Sequence, residues 1–240
     1  VPLENPTHTT EFRKLNEAVM RYATHSEEVF EQQKQFIGNA SHELQTPLAV
    51  LGTRIEWMID NTQLTEEQFT ELTKMRQSLH RLSRLNRTLL LISKIENAQF
   101  NEKHDVDIVE LIENELEIYK EIYADKEIVC STALPARFIV SMDESLATTL
   151  VTNLIKNAFL HTADGSTIDI SLQDGTLTVS NSGEEALDTT RLFDRFYTSG
   201  KSGSTGLGLA LVKSIAEFYR FGLEYSFTSG RHHFAVVFKQ

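Results

Sequence analysis

The stretch Glu66–Ile95, EEQFTELTKMRQSLHRLSRLNRTLLLISKI, decides the fold. Phe69, Leu72, Leu79, Leu82, Leu89 and Ile92 recur in it at spacings of three and seven. That is the seam of a coiled coil or helical bundle, too narrow for a helix buried on every side. Upstream, apolar residues keep helical spacing from Phe12 to Ile59, with no glycine before Gly38. The polar break at Asp60–Thr65 predicts two long helices joined by a short turn. A lone helical hairpin leaves apolar surface in water, whereas two hairpins close a four-helix bundle. A homodimer is therefore expected.

Beyond Asn97 the elements shorten. The pattern predicts a helix over Asp107–Tyr123, short strands at Glu127–Thr132 and Phe138–Ser141, and a strong amphipathic helix over Glu144–Leu160. Thr167–Leu172 and Leu177–Ser180 alternate around Asp174-Gly175, a hairpin turn signal. Thr198–Thr205 holds only Ser, Gly, Lys and Thr and reads as a mobile loop. A helix at Leu207–Phe218 and closing strands at Leu223–Phe227 and Phe234–Phe238 complete a second, mixed domain starting near residue 104. The fold class is thus α+β.

Composition narrows the function. The 240 residues carry 23 basic and 34 acidic side chains, a net charge of −11, which argues against a broad phosphate-neutralising surface and so against nucleic-acid binding. A single cysteine, Cys130, excludes an intramolecular disulfide, and its apolar surroundings in sequence place it in the core. No stretch reaches the roughly 20 apolar residues that cross a bilayer. The opening Val1-Pro2-Leu3-Glu4 suggests a piece cut from a longer chain, whose membrane connection would lie in a missing N-terminal region.

Ser41-His42-Glu43-Leu44-Gln45-Thr46-Pro47-Leu48 lies inside the first helix. At about 100° per residue, Ile37, Ser41, Leu44, Leu48, Leu51 and Ile55 form one stripe, with His42 and Thr46 roughly opposite. His42 should face solvent, one turn from Thr46, so both can address one small ligand or water. Pro47 removes a hydrogen bond to the Glu43 carbonyl and should bend the helix. An exposed imidazole is a nucleophile when one nitrogen holds the proton and the other is free, and Glu43 is placed to accept that N–H. An isolated exposed histidine is usually a solvated surface residue; here its neighbours argue otherwise.

The run Phe36–Leu48 closely resembles the phosphoacceptor box of sensor histidine kinases. The resemblance implies that His42 takes a phosphoryl group, that Glu43 is the general base and that Thr46 orients water for hydrolysis of a phosphorylated partner. Gln45 stands where arginine is more frequent.

On the helix 144–160, Asn153 and Asn157 stack one turn apart beside a core stripe of Ala147, Leu150, Val151, Leu154 and Ala158. Amide oxygens suit a hard cation such as Mg²⁺, which takes its other ligands from phosphate and water. Gly206 and Gly208 open a helix, where backbone N–H groups and the positive helix end suit phosphate. No Walker sequence occurs, and Leu211 stands where the third glycine of a dinucleotide fingerprint belongs. In order and spacing, Asn153–Ala158, Val179–Gly183, Leu192–Tyr197 and Thr205–Leu209 resemble the asparagine box, first glycine box, phenylalanine box and second glycine box of the Bergerat-type ATP domain.

That resemblance implies an α/β sandwich that binds ATP and Mg²⁺ through Asn153, Asn157, Asn181, Gly183, Thr205, Gly206, Leu207 and Gly208, with Asn157 on the metal. It also implies a homodimer, a response-regulator receiver domain as partner and regulator phosphatase activity. The expected domains are a HAMP-like signalling helix over 1–30, a dimerisation and phosphotransfer hairpin over 31–98 and the ATP-binding domain over 104–240. The expected location is the cytoplasmic portion of an inner- or plasma-membrane sensor.

Four departures bear on ATP affinity: Asn181 for aspartate at the adenine, Glu185 for a second glycine, Leu160 for a cation near the phosphates and Thr198 for an arginine. Replacing a charge-assisted bond by a neutral one at Asn181 costs on the order of 1 kcal/mol. Two rivals stay open: a Bergerat ATPase of chaperone or topoisomerase type, and a degenerate kinase acting as a dimeric docking scaffold. His232 and His233, adjacent in a strand, point to opposite faces and cannot share one metal. The glycosylation matches at Asn39 and Asn86 fall inside helices and are set aside.

Overall fold

The structure, a computed structural model, describes residues 10–100, 102–198 and 205–238. The opening Val1–Glu4 and most of the loop expected at 198–205 lie outside the described residues. The chain divides into two compact units, Val1–Ser93 and Lys94–Gln240. No described helix is long and apolar enough to cross a membrane.

The first unit is a helical hairpin. Helix α1 spans Thr10–Asn61, runs on through Pro47, and α2 spans Glu66–Glu96. The turn ends in a capping box: the Thr65 N–H donates to Gln68 Oε1 at 3.0 Å and the Gln68 N–H to Thr65 Oγ1 at 3.2 Å. Ser41, Leu48 and Ile55 of the expected stripe are buried, but Leu44 and Leu51 are each 50% exposed. On α2, Leu72 is buried while Phe69 and Leu82 lie half open. The stripe divides because one neighbouring helix covers only a narrow seam. The Ile37 side chain lies outside the described residues. Inside the seam, Asn86 Nδ2 donates to the Ser41 carbonyl at 2.6 Å, and both residues are buried.

The second unit layers helices on a sheet. Strands β1 (His104–Asp107) and β3 (Ile139–Met142) form an antiparallel pair. The five-stranded sheet runs β2 (Val129–Ala133), β4 (Thr167–Gln173), β5 (Thr176–Ser182), β7 (Arg231–Val237), β6 (Gly222–Thr228). Only the β2–β4 pair is parallel. Helices α3 (Ile108–Ile122), α4 (Glu144–His161) and α5 (Gly208–Tyr219) pack side by side in that order. Strand alternation explains the layering: on β4, Ile168, Ile170 and Leu172 are buried while Thr167, Asp169 and Gln173 are exposed.

Helix α4 is the centre of the core, with eight buried apolar residues from Leu146 to Phe159. A fully buried Leu, Ile or Phe stabilises by about 1.5–3 kcal/mol. Asp143 caps its start, accepting from the Ser145 N–H at 2.9 Å and the Leu146 N–H at 3.1 Å. Lys126 caps its end, Nζ donating to the carbonyls of Phe159, Leu160 and Thr162 at 3.0–3.2 Å. Asp174 (φ 49) and Gly175 (φ 73) make the β4–β5 turn left-handed, as Asp-Gly in that place requires.

Two expectations change. Residues 104–107, with one buried side chain, gave no period-two signal, and β1 exists because it pairs with β3. Cys130 is half-buried and not in the core, because β2 is an edge strand; burial still pushes its thiol up from the ordinary range.

Replacing Asn86 by alanine should destabilise the hairpin by about 1–3 kcal/mol, since a buried hydrogen bond is lost beside a tight helix contact. Thermal melting of the helical circular dichroism signal checks this. An unchanged midpoint would mean that the Asn86–Ser41 bond contributes nothing.

Candidate functional site

On α1, His42, Glu43 and Thr46 are all exposed, while Ser41 is buried against α2. The helix dictates this, because a residue about 100° from a buried neighbour turns outward. The Glu43 carboxylate makes no hydrogen bond to the imidazole, as expected for adjacent residues on a helix, which do not face each other. Asn86, passed over as a glycosylation match, anchors the backbone one residue before His42. Its signal in the sequence was weak: a polar residue inside the α2 seam.

In the second unit, α4 and the Phe196–Tyr197 backbone both approach the start of α5. The Asn153 amide nitrogen donates to the Thr149 carbonyl at 2.7 Å, and its Oδ1 lies 3.0 Å from where a Cβ on Gly208 would stand. Asn157 follows one turn later on α4, half-buried. Gly206 has φ 66, and a Cβ there would come within 2.5 Å of the Phe196 carbonyl carbon and 2.6 Å of the Tyr197 oxygen. Only glycine fits. Phe196, itself left-handed at φ 65, donates its N–H to the Gly206 carbonyl at 2.8 Å. Strained residues of this kind gather at functional sites. Arg195 pairs with Glu96.

Leu207 is 1% exposed, so it can offer a ligand only its backbone. No side chain caps the α5 start, which leaves free amides and the positive helix end for an anion. Thr205 is half-buried just ahead of it.

The β5 end carries a second group of candidate residues. Asn181 is 1% exposed; its Nδ2 donates to the Ser182 carbonyl at 3.0 Å, and its Oδ1 has no partner among the described residues. The buried Thr162 hydroxyl is likewise without a partner there. The Ala163 N–H donates to Ser182 Oγ at 3.4 Å, joining the α4 end to this strand. Gly183 follows, its N–H donating to the Gly230 carbonyl at 3.0 Å. An orphaned buried acceptor costs about 1–3 kcal/mol unless a donor meets it, and an exocyclic amino group is such a donor. Among the described residues no cluster of three or more His, Cys, Asp or Glu could hold a metal. A cation here would rest on one or two amide oxygens and a phosphate, as Mg²⁺ does. The residues fit a purine nucleotide.

Residues 32–98 match the His Kinase A (phospho-acceptor) domain, and residues 142–238 match the Histidine kinase-, DNA gyrase B-, and HSP90-like ATPase domain. The chain belongs to the sensor histidine kinases. It carries, in order, the phosphoacceptor and ATPase domains of an ATP-dependent protein-histidine kinase. It is 31% identical over 231 residues to the signal transduction histidine-protein kinase BaeS of Escherichia coli, covering 88% of this chain and 48% of that protein. It is 34% identical over 206 residues to the sensor histidine kinase RppB of Synechocystis, covering 80% and 45%. The chain thus spans about half the length of the curated relatives it matches. Full-length ShkA, solved in complex with AMPPNP, aligns with TM-score 0.69 and 25% identity over 86% of this chain and 46% of that one. The Acinetobacter baumannii kinase AdeS shares the fold, with TM-score 0.58 at 24% identity over 83% of this chain and 98% of that one.

His232 and His233 do point to opposite faces. His233 lies between Ser180 Oγ at 2.7 Å and Thr228 Oγ1 at 3.0 Å, whereas His232 is buried on the Asn181 side.

Gly206→Ala should weaken nucleotide binding at least tenfold with little change in helix content. The alanine pays about 1–2 kcal/mol for its left-handed backbone and also displaces the Phe196–Tyr197 backbone. Calorimetric titration with ADP, run beside a far-ultraviolet spectrum, checks it.

Proposed function

We propose that this chain is the catalytic part of a dimeric sensor histidine kinase that moves the γ-phosphoryl group of ATP onto His42 and then to an aspartate of a response-regulator receiver domain. One combination carries the reading. The chain joins an exposed imidazole on a hairpin helix to a unit with an orphaned buried acceptor, a glycine-only turn and an uncapped helix start.

The His42 nitrogen attacks the γ-phosphorus in line. A nitrogen–phosphorus bond forms, the bond to the β,γ-bridging oxygen breaks, and ADP leaves with that electron pair. Glu43, exposed beside His42 and not bonded to it at rest, takes up the imidazole proton once its side chain turns toward the ring. Asn181 Oδ1 accepts from the adenine amino group, and the Gly206–Gly208 amides face the phosphates. Asn153 and Asn157 flank the phosphates, and Mg²⁺ on Asn157 would neutralise charge on the phosphate oxygens. Thr46 orients the water that hydrolyses the phosphorylated regulator. Exposed Leu44, Leu51 and Leu82 support a second hairpin closing a bundle.

The proposed domains are the signalling helix over 1–30, the phosphotransfer hairpin over 31–98 and the ATP-binding domain over 104–240. The intact protein is proposed to be a membrane sensor with this portion in the cytoplasm. Of the rivals, the docking scaffold predicts no nucleotide contact, which leaves the buried Asn181 oxygen without a purpose. A chaperone-type ATPase has no use for an exposed His-Glu pair.

Incubation with γ-labelled ATP tests the reading. Acid-labile label should appear on the protein, and His42→Gln should abolish it while nucleotide binding persists, because residue 42 faces away from the hairpin seam. Persistent label in that variant would remove His42 as acceptor; free phosphate alone would favour the ATPase. Thr46→Ala should slow dephosphorylation of the regulator by roughly tenfold or more, since one orienting hydrogen bond is worth about 1–3 kcal/mol. Label uptake by His42 should stay within a few-fold. Equal loss in both directions would sink the separate hydrolytic role.

A further inference from the structure

Beside the end of β5, at Asn181–Gly183, lies a buried histidine for which the chemistry above has no use. His232 stands opposite Asn181 in the β5–β7 ladder, so both side chains occupy the helix-covered face of the sheet. Its ring closes against Gly183: a Cβ on that glycine would stand 2.1 Å from His232 Nε2 and 2.4 Å from Cδ2. On the other side of the ring, Nδ1 is 2.9 Å from the Tyr225 hydroxyl, and the two rings stack at 5.9 Å. That hydroxyl also meets the Leu187 N–H at 2.9 Å.

A peptide N–H can only donate, so the Tyr225 oxygen accepts from the Leu187 N–H. Toward His232 the same hydroxyl donates to Nδ1 or accepts from Nδ1–H according to the ring tautomer, while Nε2 is the atom turned to Gly183. One side chain thereby links β6, through Tyr225, to both ends of the segment 183–187: Gly183 by contact and Leu187 through the shared phenol. Asn181, whose unpartnered Oδ1 is the proposed contact to the base, lies on β5 two residues before Gly183 and directly opposite His232.

We propose that His232 is a positioning residue of the nucleotide site: with Tyr225 it fixes the Gly183–Leu187 turn and so holds Asn181 where its oxygen meets the purine amino group. The inference rests on the nucleotide reading above. It makes two demands. The side chain at 232 must hydrogen-bond the Tyr225 hydroxyl, and residue 183 must lack a Cβ because the imidazole fills that space.

The test is titration of the full chain with ADP, together with the ATP dependence of label uptake. His232→Ala should weaken ADP about tenfold and raise the KM for ATP similarly, with the rate at saturating ATP within about twofold. Tyr225→Phe should behave like His232→Ala, and the double variant should be no worse than either. His232→Asn, whose amide can replace Nδ1 in the bond to Tyr225, should restore affinity to within about threefold. Gly183→Ala should lose at least tenfold beside His232 but cost little beside Asn at 232, where the outer ring atoms are gone. This pair decides the matter even if His232→Ala fails to fold. Unchanged affinity in His232→Ala, or an equal Gly183→Ala loss in both backgrounds, overturns the inference alone. An unsubstituted chain that binds no ADP overturns the nucleotide reading and this inference with it.

Discussion

Helix α4 sets Leu146, Leu150, Leu154 and Ala158 into the core with at most 2% of each exposed, and rotation about its axis would bury its asparagines in their place. Each unsatisfied buried amide group would cost about 1–3 kcal/mol, on top of the lost apolar burial. The rotation of α4 is therefore fixed by packing, and its position along the axis by Asp143 at one end and Lys126 at the other. Asn153 and Asn157 inherit their flank from that arrangement. The start of α5 then comes so close to Asn153 that a Cβ at residue 208 would stand 3.0 Å from its Oδ1.

The same kind of constraint acts in the hairpin with a different result. Burial of Ser41 beside Asn86 turns His42 outward, so the proposed nucleophile is exposed because its neighbour is not. A hairpin has only one internal seam, and Leu44 and Leu51 fall outside it. Exposed leucines one turn above and below a buried one leave an apolar strip that the proposed second hairpin would cover.

The departures at the nucleotide end have distinct physical consequences. Asn181 commits its amide nitrogen to the Ser182 carbonyl, which leaves the oxygen as the group facing a base. Acceptance from an amino group survives; the charge assistance of an aspartate does not, a difference on the order of 1 kcal/mol. Lys126 does not replace the cation missing at Leu160, because its ammonium spends its three hydrogens on the carbonyls ending α4.

Local patterns in the sequence were enough for both long helices, the Asp174-Gly175 hairpin, the core face of α4 and the outward direction of His42, because helix and strand periods alone determine which side chains share a face. The glycines at 206 and 208 and the asparagines at 153 and 157 were legible for the same reason, as local spacings. Strand β1, the half-exposed stripe on α1 and the edge position of Cys130 were not, because each depends on what packs alongside. Asn86 and His232 show the limit most clearly. Asn86 reaches Ser41 across 45 residues, and His232 meets Gly183 only once β5 and β7 have paired. The sequence by itself determined the elements, their faces and the chemistry they present; only the tertiary structure decided which side chains support that chemistry, because contacts between distant strands and helices leave no periodic trace in the chain.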